Sequence, residues 1–180
     1  MKTADDSIDA GSTPILFGNA TYRGSTGRDE TVQVLRAEQW IPRDINEVFN
    51  YFRDERNLQN LTPEFLSFKV EGKNTPEMGE GTLIDYQLRV HGIPIRWQTE
   101  IRNWKPPYEF SDFQLKGPYR LWHHFHHFVE KDGGTLIKDE VFFSLPLGRV
   151  GHIFGGWFVR RDVRAIFEYR QNKISGLFRK

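Results

Sequence analysis

The sequence predicts an α+β domain: a run of antiparallel strands followed by one long C-terminal helix. Three observations carry this. From Gly81 to Phe143 apolar residues recur at every second position over several stretches, the period of a half-buried strand. Asp132-Gly133 stands between two such stretches and is a strong two-residue hairpin signal. From Gly151 to Phe178 the period becomes helical, with Phe154, Trp157 or Phe158, Val163, Ile166 or Phe167, Ile174 and Leu177 on one stripe.

Taken in order, residues 1–29 are rich in Gly, Ser, Thr and Asp without a sustained period and read as a flexible N-terminal tail. The alternative is a segment that docks through Ile15 to Phe17. Residues 30–180 read as the single folded domain. Val32 and Val34 begin a strand. Asp44 is the natural N-cap of a short helix carrying Ile45, Val48, Phe49 and Phe52, and Glu47 completes a capping box. Pro63 stops the segment after that helix, and Phe65 to Val70 can start a strand.

Ile84, Tyr86, Leu88 and Val90, then Ile95, Trp97, Thr99 and Ile101, make a hairpin with one apolar face. A loop over His91 to Pro94 predicts Val90 opposite Ile95 and Leu88 opposite Trp97, which also sets Arg89 against Arg96 and Asp85 against Glu100. The Asp132-Gly133 turn pairs Lys131 with Gly134, so Phe128 faces Ile137, His126 faces Asp139, His124 faces Val141 and Trp122 faces Phe143. A tight Gly117-Pro118-Tyr119 loop sets Gln114 beside Trp122, Asp112 beside His124 and Phe110 beside His126.

Composition narrows the function classes. The 25 Lys and Arg nearly balance the 24 Asp and Glu, for a formal charge of +1, so there is no concentrated basic footprint for nucleic acid. No cysteine is present, which excludes disulfides, Cys-ligated zinc and thiol nucleophiles. No signal-peptide core or spanning apolar stretch is visible, and the expectation is a soluble cytoplasmic protein without an integral membrane segment. No phosphate loop, GxSxG elbow or HExxH motif occurs.

The string GPYRLWHHFHHF from Gly117 to Phe128, with DGGTLIKDEV from Asp132 and SLPLG from Ser144, resembles a bacterial branch of the SRPBCC superfamily. That superfamily includes START-type lipid carriers, polyketide cyclases and dehydratases, and the birch-pollen allergen group. The resemblance covers roughly residues 30 to 180 and implies the helix-grip fold: a curved antiparallel sheet of about six to seven strands around the terminal helix. It also implies an apolar cavity between them, but no particular reaction.

The sheet face that meets the helix carries Tyr86, Trp97, Trp122 and other apolar groups. Into it the register inserts Asp112, Gln114, His124, His126 and Asp139. Unpaired burial of such groups costs several kcal/mol, so they must pair, meet water or meet a ligand. Four readings are open: a self-satisfied network in the core, a ligand-orienting site, a metal site built on His-x-His with two carboxylates, or acid–base catalysis by a His oriented by an Asp. The adopted reading is a cavity for a hydrophobic small molecule, lipid or polyketide-like, without metal or cofactor. Its expected lining is Tyr86, Trp97, Asp112, Gln114, Trp122, His124, His126, Asp139, Trp157 and Arg170. The alternatives are a cyclase- or dehydratase-type enzyme working through His124 or His126 with Asp112 and Asp139, and a structural interaction module. His123 and His127 point to the other face, either solvated or under a loop. Arg170 lies on the helix stripe and either reaches a carboxylate or an anionic head group, or keeps its head in water. The same helix, with Arg160, Arg161 and Arg164 beside Trp157 and Phe158, also has the make-up of an interfacial membrane helix.

Overall fold

The alternation read from the sequence becomes the centre of one curved antiparallel sheet, and the terminal helix packs across it. The computed structural model describes residues 13–24, 27–146 and 148–178, with 148–155 as helical backbone alone. The elements are β1 (Leu16–Arg23), β2 (Asp29–Ile41), α1 (Ile45–Phe52), α2 (Glu55–Leu58), a 3-10 turn (Glu64–Leu66), β3 (Lys69–Lys73), β4 (Leu83–Val90), β5 (Ile93–Lys105), β6 (Glu109–Lys116), β7 (Leu121–Lys131), β8 (Gly134–Ser144) and α3 (Gly148–Phe178). The eight strands lie in the order β1-β2-β8-β7-β6-β5-β4-β3. This is the expected helix-grip architecture, with a strand more than the sequence predicts.

The added strand corrects the tail. Leu16 to Arg23 pair antiparallel with Arg36 to Asp29. Ile15 is 5% exposed and joins Leu35, Val141, Phe143, Val163 and Phe167 in a core cluster. Residues 1–12, the remainder of the expected tail, lie outside the described residues. β1 escapes a periodicity search because it is an edge strand. Its order comes from backbone pairing with β2, and its few anchors, Ile15, Phe17 and Tyr22, stand among Gly, Asn, Ala and Thr.

α1 begins where its cap predicts, with Asp44 accepting from the Asn46 backbone N–H at 2.8 Å, and it buries Ile45, Val48, Phe49 and Phe52. The β4–β5 hairpin differs from expectation. His91 and Gly92 alone form the turn, at φ 49° and 83°, the positive-φ pair of a tight hairpin turn. Val90 therefore faces Ile93, and Leu88 faces Ile95. The two-residue shift keeps the apolar rows on one side, and it sets Gln87 against Arg96 and Asp85 against Gln98, so the like-charge oppositions of the longer loop disappear. Asp112 faces His124 and Phe110 faces His126 as predicted, and His126 faces Asp139 and Trp122 faces Phe143, while the β6–β7 ladder ends at Phe113 and His123, short of the predicted Gln114–Trp122 pair.

α3 has 31 residues, about 46 Å at 1.5 Å per residue, enough to run the length of the sheet. Its Val163, Phe167, Ile174 and Phe178 are buried, so the stripe that an interfacial helix would give to lipid is used against the strands. No helix among the described residues is long and apolar enough to cross a membrane. One core cluster gathers α1, β5 to β8 and the end of α3 around Phe49, Ile101, Phe128 and Ile174. The second lies toward β1 and β2.

Candidate ligand-binding site

A cavity of about 360 Å³ opens where α3, the 58–68 segment and strands β4 to β7 face one another. Its position follows from the pleat, because alternate residues of four neighbouring strands point to the same side. Tyr86 and Leu88 of β4, Trp97 and Thr99 of β5, Asp112 of β6, and Trp122 and His124 of β7 line it. α3 contributes Val159, Asp162, Ile166, Phe167 and Arg170, and the short helical segment adds Leu58, Leu61, Phe65 and Leu66. Trp97 and Trp122 meet edge to face with centroids 5.5 Å apart, a favoured aromatic arrangement.

At one end of this apolar space the polar side chains form a connected cluster. Nε2 of His124 donates to Oδ1 of Asp139 at 2.9 Å. His126 has Nε2 at 2.9 Å from Oδ2 of Asp112 and Nδ1 at 2.9 Å from Oδ1 of Asp139. Directly opposed residues thus share partners diagonally: Asp139 serves both imidazoles, and Asp112 stands 3.9 Å from Nδ1 of His124. Since carboxylates only accept, Nε2 of His126 carries hydrogen toward Asp112, while Nδ1 stands between Oδ1 of Asp139 and Nη2 of Arg170 at 3.3 Å. Burial pulls the His126 pKa down, but the bonds to Asp112 and Asp139 outweigh burial and raise it. His124 goes the other way: burial, reinforced by the His126 charge, pushes it down to about 4, so it is neutral. Burial raises both carboxylates, yet the His126 hydrogen bond leads the effects that hold Asp112 below its ordinary value. The Arg170 charge leads those that hold Asp139 well below.

Arg170 completes the cluster. Its head is buried, with 9% of the side chain accessible, and Nη2 lies 3.8 Å from Oδ1 of Asp139. The guanidinium sits 5.0 Å from the Phe52 centroid and 5.9 Å from that of Phe167, which fixes its plane. It does not keep its head in water.

Of the residues expected to line the cavity, Tyr86, Trp97, Asp112, Trp122, His124 and Arg170 do so. His126 sits behind them, stacked on Phe110 at 4.5 Å and facing a small adjoining space. Asp139 is the buried hub beneath both imidazoles. Two expectations are corrected. Trp157 is 67% exposed on the outer side of α3, where Arg161 lies over its ring; the helical stripe passes through Val159 and Val163 instead. Gln114 supports the wall from behind, donating to the Tyr119 carbonyl at 2.7 Å. Gly117 leaves room for it, since a Cβ there would displace the end of the Gln114 side chain. The Gln114 bond holds Tyr119, a cavity residue whose ring lies tilted against Trp122 at 4.8 Å and missed because it sits in a loop with no period. Sequence reasoning also missed His91 and Asp162, which line the cavity from the β4–β5 turn and from α3 and bond to each other at 2.7 Å.

His123 is buried under β1, between the Tyr22 hydroxyl at 2.8 Å and Ser111 at 2.9 Å, and burial lowers its pKa to about 4. Asp112, His124 and His126 offer ligand atoms within 4.8 Å of one another, close enough to converge on an ion. Against that geometry stands the Arg170 guanidinium, 3.3 Å from Nδ1 of His126, whose charge a dication would have to face.

No known family model matches the chain, and no curated protein matches it in sequence. Solved structures do. TTHA0849 from Thermus thermophilus superposes with a TM-score of 0.61 at 18% identity, over 80% of this chain and 98% of that one. Ara h 8.0201 gives 0.55 at 17% identity, over 81% and 99%. CalU16 from Micromonospora echinospora gives 0.51 at 14% identity, over 92% and 95%. At such identities the likeness speaks for the helix-grip fold.

Proposed function

We propose that the chain binds a hydrophobic small molecule, lipid- or polyketide-like in class, between the sheet and the C-terminal helix, with the His/Asp/Arg cluster orienting it. The supporting observation is a cavity of about 360 Å³ whose wall is largely aromatic and aliphatic and in which Asp112, His124 and Arg170 gather on one patch. Small-molecule sites have this size and this mixture of apolar walls with a few convergent polar groups. A network serving only the core has no need to front a cavity. Native mass spectrometry of protein purified from its own host tests the proposal. A retained mass released on unfolding is expected. No retained mass, together with no response of tryptophan emission to hydrophobic ligands, overturns it.

A second reading has a specific observation in its favour. His124 is oriented by Asp139 and fronts the cavity, the arrangement of a proton-transfer base in a cyclase- or dehydratase-type reaction. With its pKa pushed down to about 4, His124 is a weak base at neutral pH, and for that reason binding is the primary proposal.

A further inference from the structure

Arg170 is the least satisfied group in the molecule's polar cluster. Nε is buried and has no partner among the described residues. Nη1 makes no hydrogen bond to them either, and Nη2 has only two neighbours: Nδ1 of His126 at 3.3 Å and Oδ1 of Asp139 at 3.8 Å. The first is a long contact, and Nδ1, which also lies 2.9 Å from Oδ1 of Asp139, accepts it only when it carries no hydrogen. The second is beyond hydrogen-bond length. A guanidinium with five donors thus sits nine-tenths buried at the cavity wall, near the Phe52 and Phe167 rings and short of acceptors. Leaving such donors unmet is costly, so the arrangement calls for an oxygen from whatever fills the cavity.

The charge of that oxygen follows from the count around it. Arg170 contributes one positive charge and a protonated His126 a second, Asp112 and Asp139 contribute two negative ones, and neutral His124 contributes none. The cluster therefore has no spare positive charge. A ligand carboxylate would leave at least one net negative charge in an apolar space. It would also face Asp112, which lines the same wall with 24% of its side chain accessible. A neutral carbonyl oxygen meets the donors without that penalty.

We infer that the cavity's ligand carries a neutral carbonyl-type oxygen at its buried end, received by Arg170, and that the site selects against the corresponding carboxylic acid. This rests on the binding function proposed above and sharpens it to a ligand class.

Three naphthalenes of nearly one shape test it: acetonaphthone, naphthoate and ethylnaphthalene, titrated into the full chain by calorimetry and tryptophan quenching at neutral pH. Acetonaphthone should bind at least tenfold more tightly than naphthoate, about 1.4 kcal/mol, and more tightly than ethylnaphthalene. In Arg170→Met, or in Arg170→Lys should the first not fold, the preference for acetonaphthone over ethylnaphthalene should shrink toward unity. Naphthoate binding as tightly as acetonaphthone or tighter, or a ketone preference that survives both variants, overturns the inference while leaving the binding function standing. If both variants fail to fold, the ranking by the native chain decides alone. Failure of all three compounds to bind removes the binding function itself, and the inference with it.

Discussion

Asp139→Asn is the sharpest probe of the cluster, because it removes one charge and almost no volume. In the native chain Oδ1 of Asp139 lies 2.9 Å from Nε2 of His124, 2.9 Å from Nδ1 of His126 and 3.8 Å from Arg170. The amide leaves a protonated His126 with Asp112 alone and removes the carboxylate nearest Arg170. Removing one partner of a buried ion pair costs about 3 to 5 kcal/mol. His126 can shed its proton in response, which places the expected loss near the lower figure, about 3 kcal/mol. In a domain of this size each kcal/mol moves the melting temperature by about 2 to 4 °C, so a fall of roughly 10 °C is expected. Urea unfolding at neutral pH, checked for an unchanged m-value, measures it. The paired change His126→Leu with Asp139→Leu should also destabilise, since the network is shared: His124 loses its acceptor and Arg170 its nearest carboxylate. A loss below about 1 kcal/mol for Asp139→Asn, the size of an ordinary surface change, would refute the claim that a buried charge holds this end of the cavity together.

Ile15→Ala should cost about 2 to 5 kcal/mol, as for other buried aliphatics, because Ile15 is 5% exposed; unchanged denaturation would return this segment to a tail. Stability should fall on both sides of the ordinary imidazole pKa of 6.5. His123 and His124, lowered to about 4, make the unfolded chain bind protons first as pH drops from 6.5 toward 4. His126, raised, holds its proton in the folded state, and that contribution is lost as pH rises through its folded value. Urea midpoints measured across pH should show the acid limb reduced in His124→Gln, and an identical profile in that variant would contradict the assignment. Tryptophan emission should respond to acetonaphthone and lose the response in Trp97→Phe with Trp122→Phe; an undiminished response would place the ligand elsewhere. Zinc should leave the melting temperature unmoved because of Arg170, whereas a rise abolished by His124→Ala would show coordination.

Much of this arrangement was legible in the residues because the determinants are local. A period of 2 assigns each strand residue to a face, and Asp132-Gly133 fixes the β7–β8 register, so His126 opposite Asp139 could be read directly. A capped amphipathic stretch marks α1 at Asp44 in the same way. Local pattern was therefore enough for the α+β class, the inward face, and the gathering of two histidines with two carboxylates on it.

The features that needed the folded chain depend on distance across it. β1 is ordered by the backbone of β2, which leaves little trace in side-chain pattern. The His91-Gly92 turn won over a longer loop because two positive-φ residues were tolerated there and opposed like charges were avoided. The rotation of α3 at its N-terminal half sent Trp157 outward, since the helical period alone does not choose between adjacent Trp157 and Phe158, and both are exposed. Backbone register set His124 opposite Asp112, yet side-chain directions joined His124 to Asp139 and His126 to both carboxylates. Arg170 was ambiguous in sequence for a related reason: whether a long cationic side chain reaches water or a buried carboxylate depends on what the helix packs against, and here Phe52 and Phe167 close around it beside the cavity.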